Sequence, residues 1–167
     1  ISETDTVNLG FRFEHTDLTL FDNSPPSYIR YVEEFGDSPN SFIVSLGWAR
    51  DTRDDILYPS RGMLQVAGVE LGTPIADLSY YKANYLAQWF TPVYGDLVLM
   101  LRGDIGYADG YNGKALPFYK VFYAGGVGSV RGYETASLGP RDGFGNTLGG
   151  KRKIVGNAEL FYPIIKG

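Results

Sequence analysis

Between Val7 and Phe13 the chain alternates without a fault: Val7, Leu9, Phe11 and Phe13 are apolar, while Asn8, Gly10, Arg12 and, one step on, Glu14 are not. A period of two is the period of a β-strand, whose successive side chains point to opposite faces. One face of this segment is greasy and the other wet, a division that a helix would scatter around its circumference. The same rule recurs down the chain. Phe42, Val44, Leu46 and Trp48 oppose Ile43, Ser45, Gly47 and Ala49; Tyr81, Ala83, Tyr85, Ala87 and Trp89 oppose Lys82, Asn84, Leu86 and Gln88. Leu97, Leu99, Leu101, Ile105 and Tyr107 oppose Val98, Met100, Arg102, Asp104 and Gly106, and Ile154, Gly156, Ala158, Leu160 and Tyr162 oppose Val155, Asn157, Glu159 and Phe161. Met63 to Leu71 is apolar on both parities and reads as a strand from its length and valine content. Pro117 to Tyr123, aromatic on both parities, reads as a further strand. The link Pro92-Val93-Tyr94-Gly95-Asp96 reads as the turn of a hairpin.

The connections differ in length. Asp22 to Asn40 holds Tyr28, Tyr31, Val32 and Phe35 at helical spacing behind Pro25-Pro26, which predicts a short helix over Ser27–Phe35 riding in a loop. Asp51 to Gly62 is a charged turn, and Gly132 to Arg152 a long glycine-rich loop. Glycine accounts for 22 of the 167 residues, well above an ordinary share of roughly 7%. It is scattered among aromatics with no fixed period, which excludes collagen and coiled coil. The longest stretch without Asp, Glu, Lys or Arg runs from Ala83 to Gly95, short of the ~18 apolar residues of a membrane-spanning helix. With no cysteine, disulfide frameworks, thiolate chemistry and cysteine-ligated metals are excluded. A net charge of −4 without a long basic run argues against nucleic acid as the partner. A start at Ile-Ser-Glu, with neither Met nor a charged leader, reads as a mature piece or an excised segment.

Strands joined by short links at one end and long loops at the other suit the wall of a membrane β-barrel. Arg12, Glu14, Lys82, Gln88, Arg102, Asp104 and Glu159 all fall on the face opposite the greasy one, as expected where a wet interior backs a lipid-facing wall. Trp48, Tyr81, Trp89, Tyr107 and Tyr162 lie toward strand ends, like interfacial girdles. A soluble sandwich or lipocalin-like barrel with its greasy face inward shares this alternation, and the pattern leaves both open. No catalytic, metal or cofactor site is expected. The only histidine, His15, reads as a strand-end residue without a triad around it. Asp51, Asp54 and Asp55 are interleaved with Arg50 and Arg53, so a charged solvated turn is a better reading than a calcium site. Gly125-Gly126-Val127-Gly128 is followed by no helix that could hold a phosphate.

The stretch Phe122-Tyr123-Ala124-Gly125-Gly126-Val127-Gly128-Ser129-Val130-Arg131-Gly132-Tyr133, continued by Glu134 to Arg141, resembles the signature of the BamA family, the barrel-assembly factors of the Gram-negative outer membrane within the bacterial surface antigen superfamily. Three further stretches resemble the same family in the same order. Arg50-Asp51-Thr52-Arg53-Asp54 with Tyr58-Pro59-Ser60-Arg61-Gly62 looks like a periplasmic turn, Pro117-Phe118-Tyr119 like the approach to the motif, and Asn157 to Pro163 like the strand after it.

The resemblance implies an all-β fold, an antiparallel transmembrane β-barrel segment of about 6–8 strands out of about sixteen. It has one short helix in an extracellular loop (22–40), a periplasmic turn (51–62) and a loop (125–152) folded into the lumen with Val130, Arg131, Gly132 and Tyr133 at its tip. The resemblance also pairs Arg131 with Glu159, a guanidinium fork against a carboxylate, so Arg131→Ala is expected to unseat the loop. Arg12, Glu14, Lys82, Arg102 and Asp104 would face the lumen, and Arg50, Asp51, Arg53, Asp54, Pro59 and Gly62 would form the periplasmic turn motif.

The implied function is non-enzymatic folding and insertion of other outer-membrane barrels, by strand addition at a seam between the first and last strands, neither of which is expected in this chain. Implied partners are nascent barrel proteins, outer-membrane lipids and assembly-complex lipoproteins, the last chiefly through periplasmic domains outside these residues. The open edges of an isolated piece are expected to self-associate. Alternatives are a two-partner secretion or autotransporter-assembly pore of the same superfamily, a passive porin, or a soluble carbohydrate-binding β-domain. Seven strands leave one mismatch, since Pro117–Tyr123 and Ile154–Tyr162 would both run downward. A short upward segment near Val127–Arg131, or coil climbing through the lumen, is expected to resolve it.

Overall fold

The computed structural model describes residues 4–163. Among these residues six strands occur, β1 (Asp5–His15), β2 (Asn40–Asp51), β3 (Gly62–Gly72), β4 (Tyr80–Tyr94), β5 (Leu97–Gly110) and β6 (Arg152–Phe161), with one helix, α1 (Pro26–Phe35), and a single 3-10 turn at Phe118–Lys120. They form one antiparallel sheet in chain order. The strands of 10 to 15 residues match the ~9–11 that cross a bilayer at a tilt. The upper end of the sheet carries α1 and the long connections 16–39 and 111–151, and the lower end carries the turns 52–61 and 95–96.

The register sorts the two faces. One unbroken row runs Val7, Trp48, Ala67, Tyr85, Ile105, Ile154 across all six strands. Among the described residues nothing covers this face: Leu9, Phe11 and Leu160 are 64%, 66% and 63% exposed. A soluble sandwich would bury that surface and leave the polar face wet. Here the covered face is the polar one, and an apolar surface of this extent is stable against lipid rather than water. Trp48 and Trp89 mark its lower border and Tyr81 and Tyr107, with ring centroids 5.8 Å apart, its upper one. From Tyr81 to Trp89 is about 27 Å of strand at roughly 3.4 Å per residue, which after tilting fits an apolar band of about 25 Å.

The core lies on the inner face. Leu78, Tyr80, Ala108, Leu116 and Phe122 form its upper cluster, joined by Tyr119 and Val121, and Phe90, Val98 and Met100 its lower one.

Pro117–Tyr123 is not a strand. After the 3-10 turn it runs as coil, with a lone bridge between Phe122 and Gly150. Its aromatics serve opposite directions: Phe118 stacks on Tyr28 at 4.0 Å and meets Tyr31 edge-on at 5.6 Å, while Phe122 turns to the wall. A coil enclosed on several sides is apolar on both parities, as a doubly buried strand is. Among the described residues the wall therefore has six strands, β5 running up and β6 down, and the mismatch of direction vanishes. No wall strand occurs at Val127–Arg131; coil spans all of 111–151 apart from the 3-10 turn and isolated bridges. The β4–β5 turn is tighter than five residues. β4 continues to Tyr94 with a register shift at Pro92/Tyr94, where the missing N–H of Pro92 is tolerated. α1 begins at Pro26, a residue earlier than its periodicity indicates, with Pro in its first turn.

Candidate functional site

The 111–151 connection lies over the inner face, and its seat begins with an absent side chain. On β5, Gly106 leaves a hollow filled by the Phe122 ring; a Cβ there would stand 2.6 Å from that ring. Lys82 of β4 and Lys153 of β6 place their ammonium groups 4.5 and 5.4 Å from the ring centroid, a cation–π arrangement from two strands. Lys82 also donates to the Val121 carbonyl at 3.4 Å. Lys153 pairs with Asp104 at 2.9 Å, and Arg102 lies 3.9 Å from the same carboxylate. Phe122 exchanges two backbone hydrogen bonds with Gly150, at 2.9 and 2.8 Å, which closes the base of the loop.

A second cluster sits across the sheet. Arg12 and Glu14 of β1, Glu70 of β3 and Lys120 of the loop bring two cations and two carboxylates together. Lys120 Nζ lies 3.3 Å from Glu14 and 3.9 Å from Glu70, and Arg12 lies 3.4 Å from each. The Tyr80 hydroxyl donates to Glu70, and the Tyr80 ring centroid lies 5.7 Å from the Lys120 ammonium. The Lys120 side chain is 13% exposed, against 58% for Arg12.

Farther along the loop, Arg131 Nη2 lies 3.1 Å from Glu159 Oε2 on β6, in a single contact whose arginine is 62% exposed. Beside it, Asn157 Nδ2 donates to the Ser129 carbonyl at 3.0 Å. Val130 is half-buried and Tyr133 exposed; the Tyr133 carbonyl accepts from the Gly126 N–H at 3.1 Å. Gly125, Gly126 and Gly132 have positive φ, and Gly128 does not. Arg141 donates to the Ser137 and Gly145 carbonyls, both at 2.8 Å, and gathers the distal part of the loop.

At the lower end, Arg53 grips Asp51 with both prongs, at 2.9 and 2.7 Å. The Asp54 carboxyl accepts from the N–H groups of Ser60 and Arg61 at 2.9 and 3.1 Å and from the Ser60 hydroxyl. That hydroxyl first, and then the two N–H groups, hold it down at about 2. Asp55 accepts from the N–H groups of Leu57 and Tyr58 at 2.7 and 2.8 Å. These carboxylates serve the turn's own backbone and Arg53. Among the described residues no group of three or more His, Asp or Glu is placed to hold a metal ion. Gly62 closes the turn at φ 106, where a Cβ would meet the Thr52 carbonyl at 2.3 Å. Pro59 is half-buried against the turn, and Arg50 is exposed on the outer face.

Sequence reasoning placed Arg12, Glu14, Lys82, Arg102, Asp104 and Glu159 on one face, and the register does so too. It missed Glu70, Lys120, Asn157 and the Gly106 hollow. The signals were faint but present: Glu70 is the one carboxylate in an apolar run, and Lys120 the one cation in an aromatic run.

With this geometry in view, the sequence model of the Omp85 superfamily domain matches residues 1–167. The chain is 35% identical over 98% of its length to the outer membrane protein assembly factor BamA of Neisseria meningitidis, of which it covers 22%. It is 31% identical over 77% of its length to the sorting and assembly machinery component 50 homolog of Mus musculus, of which it covers 28%. The crystal structure of BamA from Haemophilus ducreyi lacking POTRA domains 1–3 superposes with a TM-score of 0.87 at 23% identity, over 100% of this chain and 36% of that one. The chain thus spans about a fifth to three tenths of the curated relatives it matches.

Proposed function

We propose, on the premise that this chain belongs to the Omp85 superfamily, that it is the central wall and inner loop of an outer-membrane β-barrel that folds and inserts other barrel proteins. The cell is a Gram-negative bacterium. The upper end, with α1 and the 111–151 loop, faces outward, and the turns at 52–61 and 95–96 face the periplasm. The inner face is the lumen side. The work is non-covalent: strand edges template incoming strands, and the wall presents apolar surface to lipid. Nascent barrel proteins and outer-membrane lipids are its partners, and lipoproteins dock chiefly on regions outside these residues.

The observation that carries this reading is the loop laid across the inner face with Arg131 on Glu159, in a chain that resembles assembly factors over 98% of its length. A loop that fills the inner face suits a protein that handles other chains at its wall better than one that passes solutes through its middle. An exposed ion pair contributes only about 0–1 kcal/mol, so Arg131 guides the loop tip and other contacts hold the remainder.

The test uses the full-length protein in liposomes with an unfolded client barrel, read by the heat-modifiable gel mobility of the folded client. The native protein is expected to speed client folding, a deletion of 125–148 to abolish the gain, and Arg131→Ala to reduce it by a few-fold. Solute flux through the liposomes with no gain in client folding would overturn the proposal in favour of a secretion pore or porin.

A further inference from the structure

We infer that Lys120 is the principal positioning residue of the 111–151 loop, the latch that holds the loop against the wall where Arg131 only guides its tip. The argument begins with charge. Glu14 projects inward from β1 and Glu70 from β3, and between them stands Arg12, itself 58% exposed and 3.4 Å from each carboxylate. Lys82 of β4 stands opposite Glu70 in the register, but its ammonium is turned to the Phe122 ring and the Val121 carbonyl, so Arg12 is the sheet cation at ion-pair distance from both carboxylates and the second close cation comes from outside the sheet. The loop supplies Lys120, whose Nζ lies 3.3 and 3.4 Å from the two oxygens of Glu14 and 3.9 Å from Glu70.

Burial ranks the two loop cations. Lys120 is 13% exposed and meets carboxylates from two strands, with the Tyr80 and Tyr119 rings at 5.7 and 5.9 Å. Arg131 is 62% exposed and meets one carboxylate through one nitrogen. Screening by water weakens the second pair and spares the first. Removing the buried Lys120 leaves two partly buried carboxylates, 30% and 27% exposed, facing one half-solvated cation, whereas removing Arg131 leaves one, Glu159, 20% exposed.

Position reinforces charge. Lys120 is two residues from Phe122, so its ammonium and the ring in the Gly106 hollow fix the same short segment at two points, on β1–β3 and on β5. Everything beyond, including Val130 to Tyr133, follows from that segment and its pairing with Gly150, with the tip tied to β6 through Asn157 and Glu159.

The experiment is limited proteolysis of the full-length protein in membrane vesicles with an arginine-specific protease, whose sites Lys120→Met and Glu14→Gln leave unaltered and to which Lys120→Arg adds one, read as a separate fragment. Cleavage is scored at Arg141, which every variant retains. Lys120→Met is expected to speed that cleavage about tenfold, because two partly buried carboxylates lose their buried cation and the loop opens. Lys120→Arg should stay within about twofold of the parent, since it keeps the charge. Arg131→Ala should give about threefold or less, as for an exposed pair.

The discriminating variant is Lys120→Met combined with Glu14→Gln, which removes one charge of each sign. It is expected to cleave more slowly than Lys120→Met alone, an outcome that loss of packing cannot produce. Cleavage of Lys120→Met at the parental rate, or no rescue by Glu14→Gln, would overturn the inference. Should Lys120→Met fail to assemble, Glu14→Gln alone decides, with faster cleavage expected and an unchanged rate against it. The loop's importance for activity rests on the function proposed above, and client folding is measured on the same variants. Faster cleavage with client folding unchanged would leave the latch standing and count against the loop's part in assembly.

Discussion

Asp54 shows how much order one side chain can impose. Its carboxyl accepts from two N–H groups and a hydroxyl six and seven residues downstream, closing the turn at 52–61 without any core beneath it. Because these donors favour the charged form, the carboxyl titrates at about 2, below the usual value of roughly 3.9. A depressed pKa stabilises the fold above the ordinary carboxylate range and withdraws that support as pH falls through about 2. The carboxyl carbon of Asp54, followed by NMR in detergent micelles, is expected to titrate with a midpoint near 2. Ser60→Ala should raise that midpoint, the hydroxyl being the largest contributor; a midpoint unmoved by the substitution would show that the backbone donors suffice.

At the scale of elements, α1 illustrates how one loop lends shape to another. Its Tyr28 and Tyr31 hold Phe118 of the 111–151 loop by a stacked and an edge-on contact, and Tyr31 is the buried residue of the helix. Its ends are weakly held, with no side-chain cap and no complementing charge, so a helix of this length depends on tertiary packing, to which Lys114 over the Phe35 ring at 5.4 Å also contributes. Phe118→Ala should loosen α1 by about 1–2 kcal/mol, an aromatic pair plus its buried area. Faster hydrogen exchange across Pro26–Phe35, with β1 and β2 unchanged, is the expected readout. The helix was legible in the sequence because its four aromatic and apolar residues follow helical spacing. The element it packs on was not. In 117–123 the aromatic residues answer to α1 on one side and to the wall on the other, and local periodicity cannot separate that from a strand. The strands themselves were legible wherever one face meets lipid and the other does not, β1 most of all. Met63–Leu71 was less so, because its inner parity carries Leu64 and Val66 beside Glu70. The links of Lys120 to Glu14 and of Lys82 to Phe122 span too much sequence for any local pattern to carry.

For the molecule as a whole, the sheet order places β1 and β6 at opposite borders, each with one strand neighbour among the described residues. A strand border presents unpaired N–H and C=O groups, and within a hydrocarbon layer such groups must find partners. The isolated 167-residue chain in detergent is therefore expected to sediment as a dimer or larger species. A monodisperse monomer would mean that the borders are satisfied within the chain. Six strands are too few to enclose a lumen by themselves, which agrees with the small fraction of each relative that the chain covers.

The hollow at Gly106 also bears on the order in which the barrel is made. The ring of Phe122 rests on β5 and takes its cations from β4 and β6, so its resting place belongs to no single strand and does not exist until all three are in register. The loop therefore cannot start the fold. It can seat only after β4, β5 and β6 have paired, and a seated Phe122 reports that these three strands are in register.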